Sequence, residues 1–224
     1  MSGSFRTVGR TGGLAVGVAL FVAAGPPDRL SAQTLSQFSY DSLKLSGIQA
    51  DVGTLSARDF RGTSVVAARV DAGYIAPRVR VLLGISFARS QLNARAIARF
   101  NRQLKALVND PDSNATIDVG KIALSDFTGD LDLQYVFPQG RSVWTYLGLG
   151  VGIHARNSSG RAINGTFVEE ALDGVSPALN ATIGVDVALA PHWRLTTELR
   201  GAVLSNFSTA SIQLGFAYRI GARQ

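Results

Sequence analysis

The segment FTGDLDLQYVFPQG, residues 127–140, alternates along nearly its whole length. Phe127, Leu131, Leu133, Tyr135 and Phe137 share one parity, and Thr128, Asp130, Asp132 and Gln134 share the other. Successive side chains of a β-strand project to opposite sides of the pleat, so the pattern predicts a strand with one apolar and one polar face. The fold turns on which medium each face meets. A soluble barrel turns the apolar face inward, and a membrane barrel turns it outward to lipid.

The same alternation recurs along the chain. TSVVAARVDAGYIAPR sets Val66, Ala68, Val70, Ala72 and Tyr74 against Arg69, Asp71 and Gly73, and VRVLLGISF sets Val79, Val81, Leu83, Ile85 and Phe87 against Arg80, Gly84 and Ser86. VWTYLGLGVGIHAR sets Val143, Leu147, Leu149, Val151 and Ile153 against Gly148, Gly150, Gly152, His154 and Arg156. ATIGVDVAL, WRLTTELRGAV and ASIQLGFAYRI repeat it, with Asp186, then Arg194, Glu198 and Arg200, then Gln213 and Arg219 on their polar parities. A weaker strand over residues 46–54, carrying Ile48, Ala50 and Val52 with Asp51 on the other face, makes eight.

Volume bears on the choice of medium. The apolar parity supplies far more side chains than the roughly dozen that fill a small eight-stranded barrel, so that face is too large to be the inside. The opposite parity, rich in Gly, Ala, Ser and Thr with a minority of charges, suits a narrow lumen. A two-sheet sandwich buries more apolar residues and stays open on volume alone. Aromatic placement argues against it: Tyr74, Tyr135, Phe137, Trp193 and Tyr218 lie on the apolar parity near one end of their strands, as a girdle at a membrane interface would. Phe87 and Phe127 stand at the opposite ends, and Trp144, on the polar parity, is expected at the lumen mouth. Short connections near residues 76–78, 138–142 and 190–192 interleave with longer ones over 56–62, 89–121 and 157–175, the membrane-barrel arrangement of short periplasmic turns and longer outer loops. The fourth outer connection, near 205–208, is short.

At the N-terminus, Arg6 and Arg10 precede LAVGVALFVAAG, an apolar run of export-signal length. Cleavage after Ala24 or Ala32 fits the small-residue rule, and Ala32 is preferred because Pro26 and Pro27 suit a strand start poorly. The expected organisation is a signal peptide over 1–32, a linker over 33–40, a barrel over 41–221 and a tail over 222–224. No later run is apolar enough for a spanning helix, so membrane residence has to be by strands. The sequence pI is about 10.2, yet the 22 Lys and Arg form few local runs and no nucleic-acid motif accompanies them. Cysteine is absent, which excludes disulfides, thiolate metal sites and thiol nucleophiles.

With these segments, and with YLGLGVGIH, GVDVALAPHWRLTTELRG and the terminal QLGFAYRI, the chain resembles the eight-stranded bacterial outer-membrane barrels of the OmpA/OmpX-like type over roughly residues 40 to 221. The resemblance implies an all-β fold: an eight-stranded antiparallel up-and-down transmembrane barrel in the outer membrane of a Gram-negative-type envelope. It also implies insertion by the barrel-assembly machinery through a polar-x-Gly-x-x-aromatic-x-hydrophobic signal, which Gln213, Gly215, Tyr218 and Ile220 fill. The family usually ends on an aromatic; this chain ends on GARQ.

Carried inward, the polar parity gives a lumen network of Arg69, Asp71, Asp130, Asp132, Asp186, Glu198 and Arg200, with Arg80, Arg194 and Arg219 nearer the periplasmic mouth. Charges in a narrow interior must pair or hydrate, which predicts a plug, with a small passive pore as the alternative. A lipid-modifying enzyme is the third reading. His154 and His192 are the only histidines, and no G-x-S-x-G elbow is present, so no catalytic residue is assigned and a non-enzymatic structural or surface-interaction role is expected. DPDSNATID, residues 110–118, starts like a calcium loop, but Ala115 replaces the turn Gly and Lys121 stands where the bidentate Glu belongs; no metal or cofactor is expected. In the second long loop, residues 93–110 change to helical period: Ile97, Phe100, Leu104 and Leu107 form one stripe, Arg95, Arg99 and Arg102 another. Such a helix either rests its arginines on lipopolysaccharide or folds its apolar stripe over the barrel mouth as a lid.

Overall fold

Eight segments with period-two alternation, joined by tight turns at one end, pair with their sequence neighbours and close. In the computed structural model, which describes residues 43–58, 60–99, 102, 122–160, 173–205 and 208–221, the strands are β1 (Leu43–Ala57), β2 (Thr63–Ala76), β3 (Val79–Gln91), β4 (Ala123–Pro138), β5 (Val143–Ser159), β6 (Gly174–Ala188), β7 (Trp193–Leu204) and β8 (Ser208–Arg219). All neighbours are antiparallel, and β1 pairs with β8 to complete the barrel. Closure removes both sheet edges, the condition for a strand structure to sit in lipid. The expected signal peptide and linker, most of the long loop helix, the calcium-like segment and the tail lie outside the described residues.

The register assigns the faces. Leu149 and Ile153 of β5 are 64% and 59% exposed, whereas Asp132 of β4 and Glu198 of β7 are 0% and 1% exposed. The apolar parity is therefore the outside and the polar parity the core, the reverse of a water-soluble barrel. Strands of 12 to 17 residues exceed the roughly 9–11 that a tilted strand needs to cross the hydrocarbon layer.

Of the places where the pattern breaks, two bear on the site. Asp71 pairs with Leu82 but Tyr74 pairs with Arg80, so β2 carries one extra residue between these pairs. Gly73 takes φ 89° there, and its N–H donates to Asp71 Oδ1 at 2.9 Å. This bulge inverts the parity after Gly73. In β6, Pro177 stands opposite Ile153 of β5, but the β6–β7 ladder begins only at Ala178 opposite Leu204. Pro177 thus lies beyond the end of β7, where its missing N–H removes no ladder bond. That proline sits in the half of β6 that sequence alternation alone misses.

Candidate functional site: the lumen network and the rims

The inward residues form one continuous polar network through the barrel. Its centre is Arg69 on β2, whose Nη1 donates to Asp51 of β1 at 2.8 Å and whose Nη2 lies 2.9 Å from Glu198 of β7. Nη2 also donates to Gln213 of β8 at 3.1 Å. Gln49 and Thr196 donate to Asp51 at 2.9 and 3.1 Å. Arg200 gathers three carboxylates, Asp130 at 3.1 Å, Glu198 at 3.2 Å and Asp132. Tyr146 of β5 donates its hydroxyl to Glu198 at 3.1 Å.

A second cluster occupies the half nearer the short turns. Arg80 donates to Asp186 at 3.1 Å and lies 3.9 Å from Asp71. Arg219 reaches Asp71 at 3.7 Å, and Arg194 reaches Asp186 at 3.8 Å. Gln134 joins the two clusters: its Oε1 accepts from Arg80 at 2.5 Å and its Nε2 donates to Glu198 at 3.4 Å. At the mouth, the Arg194 guanidinium stacks over Trp144 at 3.8 Å, where a lumen-mouth residue was expected. The expected network residues are therefore brought together in two groups, with Asp71 and Asp186 below and Arg69, Asp130, Asp132, Glu198 and Arg200 at the centre.

Six carboxylates, Asp51, Asp71, Asp130, Asp132, Asp186 and Glu198, face five guanidiniums across these contacts. Isolated ions here would be severely destabilising, and mutual pairing with added hydrogen bonds offsets the desolvation. Glycines make the room. A Cβ at Gly84 would stand 2.8 Å from an Asp130 oxygen, and at Gly150 2.6 Å from the Leu131 carbonyl and against the Asp132 carboxylate. Gly148, Gly184 and Gly215 likewise leave space for Gln134, Tyr146 and Asp51. Gln134 and Tyr146 are network members that charge reasoning missed; their place on the polar parity was the available signal.

Towards the outer end the lumen is smaller-featured. His154 Nδ1 lies 2.8 Å from Asp126 and 3.0 Å from the Thr128 hydroxyl, and Arg156 donates to Ser176 at 2.9 Å. The space between these groups and Arg69, Asn180 and Arg200 has room for only a few water molecules. Among the described residues no group of three or more His, Cys, Asp or Glu is disposed to hold a metal ion.

At the turn end, Tyr135, Phe137, Trp193 and Tyr218 face outward and are exposed. Tyr135 and Phe137 rings meet at 4.7 Å, and Trp193 and Tyr218, paired across β7 and β8, meet edge-on at 5.2 Å. Tyr74 departs from the girdle expectation. The Gly73 bulge turns it to pair with inward-facing Arg80, and it lies within electrostatic range of both Arg80 and Arg194. Of the expected assembly signal, Gln213 and Gly215 face the lumen, Tyr218 faces outward, and Ile220 follows the end of β8, its N–H donating to the Ser46 carbonyl at 2.9 Å. Of the loop residues, 94–99 and 102 are helical; Asn93 caps the helix by accepting from Ala96 N at 2.8 Å, and Arg95, Arg99 and Arg102 are exposed.

A closed eight-stranded barrel with an apolar exterior, aromatic rings at the turn end and an ion-paired interior is an outer-membrane β-barrel protein. Solved structures bear out the fold. Neisserial surface protein A is 15% identical, with a TM-score of 0.50 over 79% of this chain and 98% of its own. The attachment invasion locus protein Ail of Yersinia pestis, solved with the heparin analogue sucrose octasulfate, is 12% identical, with a TM-score of 0.51 over 78% of this chain and 97% of its own. No protein-family model matches the sequence, and the search of curated proteins finds no match.

Proposed function

We propose that this protein is a non-enzymatic outer-membrane barrel with a sealed lumen, serving a structural or surface-interaction role. The observation that carries this reading is the side-chain network across the bore. Every strand contributes: Asp51, Arg69, Arg80, Asp132, Tyr146, Asp186, Glu198 and Gln213, in order from β1 to β8, are all at most 4% exposed. With Arg69, Arg80 and Arg200 held on their carboxylate partners across the bore, little of it is left to a hydrated ion. Insertion is assigned to the barrel-assembly machinery, to which Tyr218 and Ile220 at the β8 terminus present an outward aromatic and an apolar group.

The test is conductance in planar bilayers. The folded protein should give no steady current, and jointly neutralising Arg69, Asp71, Asp132 and Glu198 should open or raise one. A large, stable conductance from the unmodified barrel would overturn the sealed-lumen reading in favour of a small passive pore.

A further inference from the structure

We propose that the outer half of the lumen binds a short-chain primary amine, with the ammonium group held by His154 and Asn180 and the alkyl stem in an apolar vestibule beyond them. The site goes beyond the structural or surface role proposed above and does not depend on it.

Neighbouring rows of the β4–β5–β6 ladder build the polar end. Thr128, His154 and Ser176 stand side by side, then Asp130, Gly152 and Ala178, then Asp132, Gly150 and Asn180. The glycines leave a floor between the flanking side chains, and a Cβ at Gly152 would lie 3.2 Å from Asn180 Nδ2. His154 and Asn180, 6% and 4% exposed, line one cavity together with Asp130. His154 Nε2 and both polar atoms of the Asn180 carboxamide are buried without a hydrogen-bond partner among the described residues. Buried polar groups of this kind are costly unless something bonds to them.

Their polarity sets what can bond there. His154 Nδ1 lies 2.8 Å from Asp126 Oδ2. A carboxylate only accepts, so Nδ1 carries the hydrogen and the neutral ring turns a lone pair at Nε2 into the cavity. Asn180 Oδ1 adds a second acceptor. Charge supplies the sign. Among the described residues of the central group, the carboxylates of Asp51, Asp130, Asp132 and Glu198 meet the guanidiniums of Arg69 and Arg200 alone, while farther out Arg156 stands opposite Asp126 in the ladder. Negative charge is therefore in surplus beside the cavity. A ligand with one positive charge and several N–H donors answers both features, whereas hard metal cations prefer oxygen to imidazole nitrogen.

The adjoining cavity sets the remainder of the ligand. It shares Leu55, Ala88 and Asp126 with the first and adds Ala57 and Leu124, so an alkyl stem leads away from the ammonium along apolar side chains. Arg61 also lines this second cavity and disfavours another cationic end there, which favours a monoamine. Room for a few water molecules suits an amine of about four heavy atoms.

The experiment uses the full mature chain, isotopically labelled at nitrogen, folded in detergent and checked by heat-modifiability on gels. The chain has two histidines, and the His192→Asn variant assigns their ring signals in nuclear magnetic resonance spectra. Propylammonium chloride, titrated at about pH 8, between the usual ranges of imidazole and alkylamines, should move the His154 ring signals to saturation and leave those of His192 in place, with sodium chloride at matched ionic strength as reference. Asn180→Leu removes no described hydrogen bond, so it should keep the folded band while weakening the amine at least about tenfold; Asn180→Ala gives the same reading if Leu does not fold. Tetramethylammonium, which has the charge without an N–H, and propanol, which lacks the charge, should each bind at least about tenfold more weakly than propylammonium. His154 signals unmoved by propylammonium overturn the proposal. So does an equal response to tetramethylammonium, propanol or propionate, or undiminished amine binding by the folded Asn180 variants. Because ring signals and membrane current are read separately, failure here leaves the conductance result standing, and the reverse.

Discussion

Asp132 on β4 stands directly opposite Gly150 on β5, and its carboxylate fills the space that a Cβ at Gly150 would need. The glycine-rich face of β5 is thus the complement of the charged face of β4. Gly150→Val should abolish the heat-modifiable folded band, because both the Asp132 carboxylate and the Leu131 carbonyl, 2.6 Å from the added atom, would have to move. Gly174→Ala, with nothing within 4 Å of the added atom, should change unfolding free energy by less than about 0.5 kcal/mol.

Among the described residues Arg200 is the guanidinium in contact with Asp130, and it also holds Asp132 and Glu198. Arg200→Gln leaves buried carboxylates under-compensated and should destabilise the barrel by about 3–5 kcal/mol in denaturant titrations in lipid or detergent. A joint change with Asp130→Asn and Asp132→Asn should recover much of that loss. Equal stability of Arg200→Gln and the unmodified protein would show that the network is not structural.

Tyr218 meets Trp193 at 5.2 Å and His192 at 5.7 Å, in addition to its place in the proposed assembly signal. Tyr218→Ala should slow insertion into vesicles and lower stability by about 1 kcal/mol or more from the lost ring contacts. Trp193→Ala should reproduce the stability loss, while recognition by the assembly machinery should respond to Tyr218 alone.

The β2–β3 turn places Arg78 at φ 69° after Pro77, a left-handed conformation costly for a side chain with Cβ. The Arg78 carbonyl accepts from Val136 N at 2.8 Å, a backbone contact that any residue keeps. Arg78→Gly should therefore hold or raise stability, by up to about 1 kcal/mol, in the same titrations.

Parity made the barrel legible: residues 127–137 alone separate Leu131, Leu133 and Tyr135 from Asp130, Asp132 and Gln134, and the structure keeps that separation. What parity could not carry was any event that breaks the count. The extra residue at Gly73 turned Tyr74 from the girdle to the lumen mouth, and Pro177 hid the outer half of β6. Pairing was also beyond reach, since whether Arg80 meets Asp71 or Asp186 depends on which strands face each other across the bore. The neutral network members Gln134 and Tyr146 were overlooked because they carry no charge to flag them.

Which face meets lipid can be read directly. The chain has no cysteine, so nitroxides attached one at a time through cysteine at Leu131, Leu133, Val151 and Ile153 report single positions in folded protein in bilayers. All four should be relaxed strongly by dissolved oxygen and shielded from a water-soluble nickel chelate, in contrast to a label at the exposed loop residue Ala94. If the chelate relaxes the four strand labels as strongly as it relaxes the label at Ala94, the apolar face does not meet lipid and the account is wrong.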